Sequence, residues 1–378
     1  MQFDNYGHPH VLTLVFKPNL YLMCELSIKP AVPDEFKEST RGRIPVAKTI
    51  CLLLIPLVIT FSGCSKDDQE DPAGSFEKIS LGVPSYDYPL FFALVLLARE
   101  QGFFEEYGLD MTYQSYPHGV GSLKALQNGD VDLAIGAEFP FVKQDLSDSR
   151  MMIIASIAQV DVLELIARKD KGILEPADLK GKRVALILES QLEFCLDRFL
   201  LHYGITLKDI EKLHLLPPGI EQSILEGTAD AMVFREPMTG RVKTALKNNW
   251  VSWPVQNRQN VFWIIAGRED YVSRHSEAIE RFLQALDKAE QFYLNNDRRA
   301  IDLIIEKGNL DAAFFRGMLP KIEYRLSLEN ELLIAMEDEA RWHIENRYTA
   351  AAEVPNYLDR IYFKGLDSVK PASVNIVH

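Results

Sequence analysis

Two segments of this 378-residue chain repeat one pattern. The first runs from Leu126 to Glu138 and the second from Leu225 to Pro237. Each reads as a helix end, a glycine (Gly129, Gly227), two residues, an aspartate (Asp132, Asp230), a short apolar strand, and a glutamate six residues past the aspartate (Glu138, Glu236). The glycine suits a left-handed helix cap, where a Cβ is costly. The strand then delivers its glutamate to the carboxyl edge of a sheet, where open α/β sheets bind ligands. Two such units predict two similar α/β lobes facing one cleft. The competing reading is coincidence, because Gly-x-x-Asp before a strand is common in α/β proteins.

The rest of the folded part supports that class. Short apolar runs alternate with helical stretches from about Lys78. Strands are expected at Ile79–Val83, Met111–Ser115, Leu133–Ile135, Met151–Ala158, Leu163–Arg168, Arg183–Leu188, Ala231–Phe234 and Val261–Ala266. Such alternation with short connections predicts mixed, mostly parallel sheets flanked by helices. From Ser276 onward the period is helical almost to the end, so the C-terminal part is expected to be helical. With 54 Asp+Glu against 41 Lys+Arg, the net charge of −13 argues against a nucleic-acid partner, which requires a basic face.

The N-terminal region reads differently. Thr49–Gly63 carries no charge and follows Arg41, Arg43 and Lys48. Basic, then apolar, then small residues is the layout of a secretory signal. Ser62-Gly63-Cys64 resembles a bacterial lipobox, which implies cleavage before Cys64 and lipidation of its thiol; Phe61 stands where leucine is more usual. The alternative is a buried apolar strand pair. Residues 1–63 are thus read as a signal region with an N-terminal extension, and 64–77 as a lipidated polar tether. Of the four cysteines, Cys195 alone then stays in the folded part. It sits among Phe194, Leu196, Phe199 and Leu200, and reads as a packed core thiol.

Further segments are familiar. Pro89–Ala93 leading to Glu100–Asp110, then Ala125–Ile135, Asp178–Val184, Ala231–Pro237, Pro355–Asp359 and Lys370-Pro371 resemble the substrate-binding proteins of nitrate/sulfonate/taurine-type ABC transporters. Thiamine-pyrimidine-precursor-binding proteins and the fungal thiamine-pyrimidine synthases share this superfamily. The resemblance covers nearly all of 78–378. It implies a two-lobed type II periplasmic-binding fold, with crossovers near Gln159–Leu163 and Trp250–Asn260. Lobe one is expected at 78–160 with 261–378, and lobe two at 161–260. It also implies an extracytoplasmic, lipid-anchored, monomeric solute-binding protein serving an ABC permease, with no cofactor, no metal and no catalysis. A ligand sensor without a permease and a pyrimidine-synthase-like enzyme are the alternatives. The fungal enzymes carry a cysteine-rich motif that the folded part here lacks.

Candidate ligand residues are those on loops after strands: Ser85, Tyr86, Tyr88, His118, Glu138, Gln159, Glu189, Ser190 and Glu236. Tyr86 and Tyr88 suit stacking on a flat ligand, or packing on the lobe surface. Glu138 and Glu236 suit either the cleft or the caps of their following helices, and Ser190 suits an N-cap. His118 reads equally as a surface loop residue. Relatives often offer backbone N–H groups to an anion where Glu189-Ser190-Gln191 stands here. With Asp87, Glu138, Glu189 and Glu236 against Arg235 and His118, the expected ligand is neutral or cationic; the alternative is that some of these carboxylates point to solvent or pair with Arg235, leaving the sign open. No P-loop, GxSxG, CxxC or HExxH motif is present.

Overall fold

The computed structural model describes residues 76–377 except 86–88, 148–149 and 258. The lipidation candidate Cys64 and the aromatic pair Tyr86 and Tyr88 therefore lie outside the described residues. Eleven strands are described: β1 (Glu77–Pro84), β2 (Leu109–Tyr116), β3 (Leu133–Ala137), β4 (Met151–Val160), β5 (Leu163–Arg168), β6 (Arg183–Leu186), β7 (Glu211–His214), β8 (Ala231–Arg235), β9 (Trp250–Pro254), β10 (Val261–Arg268) and β11 (Ile322–Ser327). They form a six-stranded sheet, β11-β4-β10-β3-β1-β2, and a five-stranded sheet, β7-β6-β8-β5-β9.

The two sheets share one topology. In each, a central strand (β1 or β6) pairs in parallel with the next strand (β2 or β7) and with the third (β3 or β8). A crossover strand then adds antiparallel to the third: β10 in the first sheet and β5 in the second. The crossovers exchange lobes, so the strands of one sheet come from 77–160 and 261–327, and those of the other from 163–254. Helices cover both sheets, and the longest, Ser276–Asn295, buries Phe282, Leu283 and Leu286 on one stripe.

The repeated pattern explains the equivalence. Gly129 and Gly227 end their helices with φ of 84° and 75°, in the left-handed region. The aspartates then reach sideways to the central strand. Asp132 Oδ2 accepts from the Ser80 backbone N–H at 2.8 Å and from the Ser80 hydroxyl at 2.5 Å. Asp230 Oδ2 accepts from the Arg183 N–H at 2.9 Å, and its other oxygen takes the Arg183 guanidinium at 2.7 Å. Each carboxylate thus satisfies an N–H of the central strand, in the middle of β1 and at the start of β6, and ties the loop before the third strand to it.

Three strands had no clear signal in the sequence. β7 and β9 are sheet edges whose residues are mostly half-exposed, so neither shows a continuous apolar run. β11 alternates, with Glu323 exposed between buried Ile322 and Tyr324, and lies inside a region read as helical. The stretch Trp250–Asn260, read as a crossover, divides into edge strand β9 and a shorter connection.

That connection is held by one side chain. Gln256 is 2% exposed. Its Oε1 accepts from the N–H groups of Val162 and Leu163 at 2.6 and 2.8 Å, and its Nε2 donates to the carbonyls of Val160 and Gln259 at 2.7 and 3.1 Å. All the amide's main hydrogen-bonding positions are used, and both crossover segments are joined. Gln256→Leu keeps the bulk and orphans these backbone groups, each costing about 1–3 kcal/mol when buried. The variant is expected to lower unfolding stability by about 3 kcal/mol, read as a lower denaturant midpoint with unchanged slope.

Candidate functional site

The carboxyl ends of β1–β4 and β6–β8 converge on the same side of the molecule, where the chain crosses between lobes. A cavity of about 210 Å3 lies there. Its apolar lining includes Phe91, Val160, Val162, Leu163, Val261 and Trp263. Phe91 stacks on Trp263, with ring centroids 4.9 Å apart and planes at 14°. The guanidinium of Arg235, at the end of β8, lies 5.5 Å from the Phe91 ring centroid on the same side as the second lobe. A cation over an aromatic face is attracted to it, so Arg235 closes across the cleft onto the first lobe.

Two helix beginnings also line the cavity: His118, Gly119 and Val120 from Gly119–Asn128, and Gln191 and Leu192 from Gln191–Leu201. The first belongs to lobe one and the second to lobe two. Helix amino termini carry partial positive charge and attract anions. The first is pressed close to its sheet, since a Cβ on Gly119 would stand 3.1 Å from the Gly136 Cα. Glycine at both places allows the helix start to reach the cavity.

The other described candidate residues have different roles. Ser85 bonds back to the Tyr116 carbonyl from both its N–H and its hydroxyl, at 2.7 and 3.0 Å. Ser190 is the N-cap of Gln191–Leu201; its hydroxyl accepts from the Leu192 N–H and donates to the Ile187 carbonyl at 2.6 Å. Glu189 is half-exposed, adopts φ 52° and meets Lys143 of the other lobe at 3.1 Å. Glu236 accepts from the Gly240 N–H at 3.0 Å, capping its own helix. Gln159 sits in β4, bonded to Glu329 and accepting from Asn260 at 3.2 Å. Of the seven candidates among the described residues, His118 lines the cavity.

Glu138 lies behind the wall. It is fully buried, its Oε2 accepting from the Phe262 N–H at 2.9 Å and its Oε1 from the Gln191 side chain at 3.1 Å. Burial pushes its carboxyl up to about 8, against the opposing pull of those hydrogen bonds. The Glu339 carboxyl, also fully buried, stands within hydrogen-bonding reach of it and is raised by burial and by the Glu138 charge. Three of the four carboxylates that suggested a neutral or cationic ligand are thus occupied elsewhere: Glu189 is ion-paired, Glu236 caps a helix and Glu138 is buried with a raised pKa, while Asp87 lies outside the described residues. Arg235 and the two helix starts line the cavity.

Sequence reasoning did not single out Phe91 or Trp263, and named Gln191 only within the Glu189-Ser190-Gln191 turn. Phe91 and Trp263 sit within apolar runs indistinguishable from core, and Gln191 follows the cap. Arg235 was legible from its place before Glu236, but only as a counter-charge. A second hollow, of about 490 Å3 between Arg150, Arg268 and Glu269, lies at the opposite ends of β4 and β10, away from both crossovers.

Several known proteins are similar to this chain. A Brucella abortus (strain 2308) chain, described as a candidate binding protein, is 23% identical over 236 residues, covering 60% of this chain and 72% of its own. The taurine-binding periplasmic protein of Escherichia coli (strain K12) is 24% identical over 199 residues, 51% of this chain and 61% of its own. The crystal structure of the periplasmic aliphatic sulphonate binding protein SsuA from Escherichia coli superposes with a TM-score of 0.63 at 18% identity, covering 76% of this chain and 92% of that one. The fold is therefore that of periplasmic binding proteins. The family described as NMT1/THI5 like matches residues 91–300, more than half of the chain, and the chain belongs to that family.

Proposed function

We propose that this chain is the extracytoplasmic solute-binding component of an ABC importer, and that it binds a small organic anion with an apolar body. One observation carries the ligand class. Arg235 and two helix amino termini, one from each lobe, meet at a single interlobe cavity whose other walls are apolar. An anionic head there gains charge-assisted bonds and the helix fields, while its body covers Phe91 and Trp263. The taurine- and sulphonate-binding names of similar proteins agree with that chemistry. Closure requires the ligand to favour the closed arrangement over the open one, and contacts from both lobes to one ligand supply that difference. The ligand is bound and released unchanged.

Taurine and short alkanesulfonates are the first probes, with amines and thiamine-related pyrimidines as the contrast. Calorimetric titration is expected to show binding of a sulfonate and none of an amine. Arg235→Ala should weaken that binding by about 1.5–3 kcal/mol, roughly ten- to hundredfold, as expected for loss of a bond between charged groups. Binding of amines alone, or an Arg235→Ala variant with unchanged affinity, would refute the ligand class.

The proposed anchor is Cys64. Stable membrane attachment takes more than one acyl chain, so a multiply acylated N-terminal cysteine is required. Cys64→Ala is expected to move the protein from the membrane to the soluble fraction. A variant that still sediments with membranes contradicts the anchor.

A further inference from the structure

The helix Asn330–Glu345 follows β11 of lobe one, yet it is bonded to lobe two. Asp338 takes the Arg198 guanidinium at 2.6 and 3.1 Å, and Trp342 Nε1 donates to Asp197 at 2.9 Å. Just beyond the helix, Tyr348 donates to Glu193 at 3.1 Å. All three partners lie on helix Gln191–Leu201, whose first residue lines the cavity. The same C-terminal helix sends Glu339 to Glu138, the first residue of helix Glu138–Asp145 in lobe one. Three elements from both lobes therefore meet at one buried carboxyl pair.

The pair's bonding is incomplete without a proton. Glu138 uses one oxygen for the Phe262 N–H and the other for Gln191. Neither Glu339 oxygen has a donor among the described residues, and its carboxyl faces that of Glu138. Two carboxyls in contact, both without exposure, need at least one proton between them, because a second buried charge lacks both water and a cation. The groups around them do not supply one. Cys195 is a buried thiol pushed up by burial. His343 is lowered to about 4 by burial and by Lys143, and is neutral. Tyr357 is raised by burial and stays protonated. Asp338 adds negative charge and is paired with Arg198, and Lys143 is turned to Glu189 at the surface.

We propose that Glu138 and Glu339 form a proton-sharing pair that positions Gln191 on the cavity wall and couples lobe closure to that proton. Glu138 is a positioning residue: it does not line the cavity and acts through Gln191. Both carboxyls are raised above the ordinary range, so the folded protein holds protons that the unfolded chain has lost. Ionising both carboxyls would set two buried charges against each other, one on lobe one and one on a helix bonded to lobe two, so the closed state is favoured at low pH and that advantage is lost as the pH rises through the raised values. The proposal concerns closure of the ligand-free protein and stands whatever the ligand.

Small-angle scattering of the ligand-free protein at about pH 6 and about pH 9, the two sides of the expected titration, provides the test. The wild type is expected to show a larger radius of gyration at the higher pH. The double variant Glu138→Gln with Glu339→Gln keeps donors and acceptors without a titrating proton, and should stay compact at both. Glu138→Ala removes the acceptor of Gln191 and should be expanded at both. In denaturant titrations, the folding equilibrium of wild type relative to the double variant should fall by up to about tenfold per pH unit for each retained proton. A wild-type radius that does not change with pH overturns the proposal, as does a double variant that expands as the wild type does. If Glu138→Ala fails to fold, Glu339→Gln takes its place, and loss of the wild-type pH response in that variant is the supporting result.

Discussion

Four hydrogen bonds from one buried amide tie together the two places where the chain crosses between lobes. Gln256 bonds Val160, Val162 and Leu163 on the outgoing segment and Gln259 on its own returning segment. The cleft exists because the chain leaves one sheet at β4, completes a second sheet of the same topology, and returns at β10. The relation between the two cavity walls is set at this joint. Arg235 can reach Phe91, and Gln191 can reach Glu138, because the crossings hold the sheet edges opposite each other.

The charge of the cavity follows from where carboxylates are used up. A count along the loops favours negative charge. The folded chain places Glu189 beside Lys143, turns Glu236 back onto the Gly240 N–H, and buries Glu138 against Glu339. Each is neutralised by a different means: an ion pair, a helix start and a retained proton. Arg235 lines the wall beside the two helix starts. The sign of a site is thus a property of pairing, and loop composition is a poor guide to it.

The two-lobed fold was legible because its repeated unit is local. Gly129 and Gly227 mark their caps by conformation, and Asp132 and Asp230 mark the neighbouring central strands by bonding. Edge strands β7 and β9 were not legible, since half-exposed strands show no apolar run. The site was less legible than the fold. His118 lines the cavity, and Phe91, Trp263 and Gln191 join it through contacts between segments more than a hundred residues apart or across the cleft. Gln256 and Glu339 have no local signal at all; their roles come from burial against partners distant in the chain.

The central claim is that lobe closure around Arg235 and the two helix starts captures an organic anion. Native mass spectrometry of the purified protein tests it most directly. The account predicts that a small organic anion is retained by the intact wild type, is released on denaturation, and is lost from Arg235→Ala. A retained amine, or an anion held equally by Arg235→Ala, would contradict it.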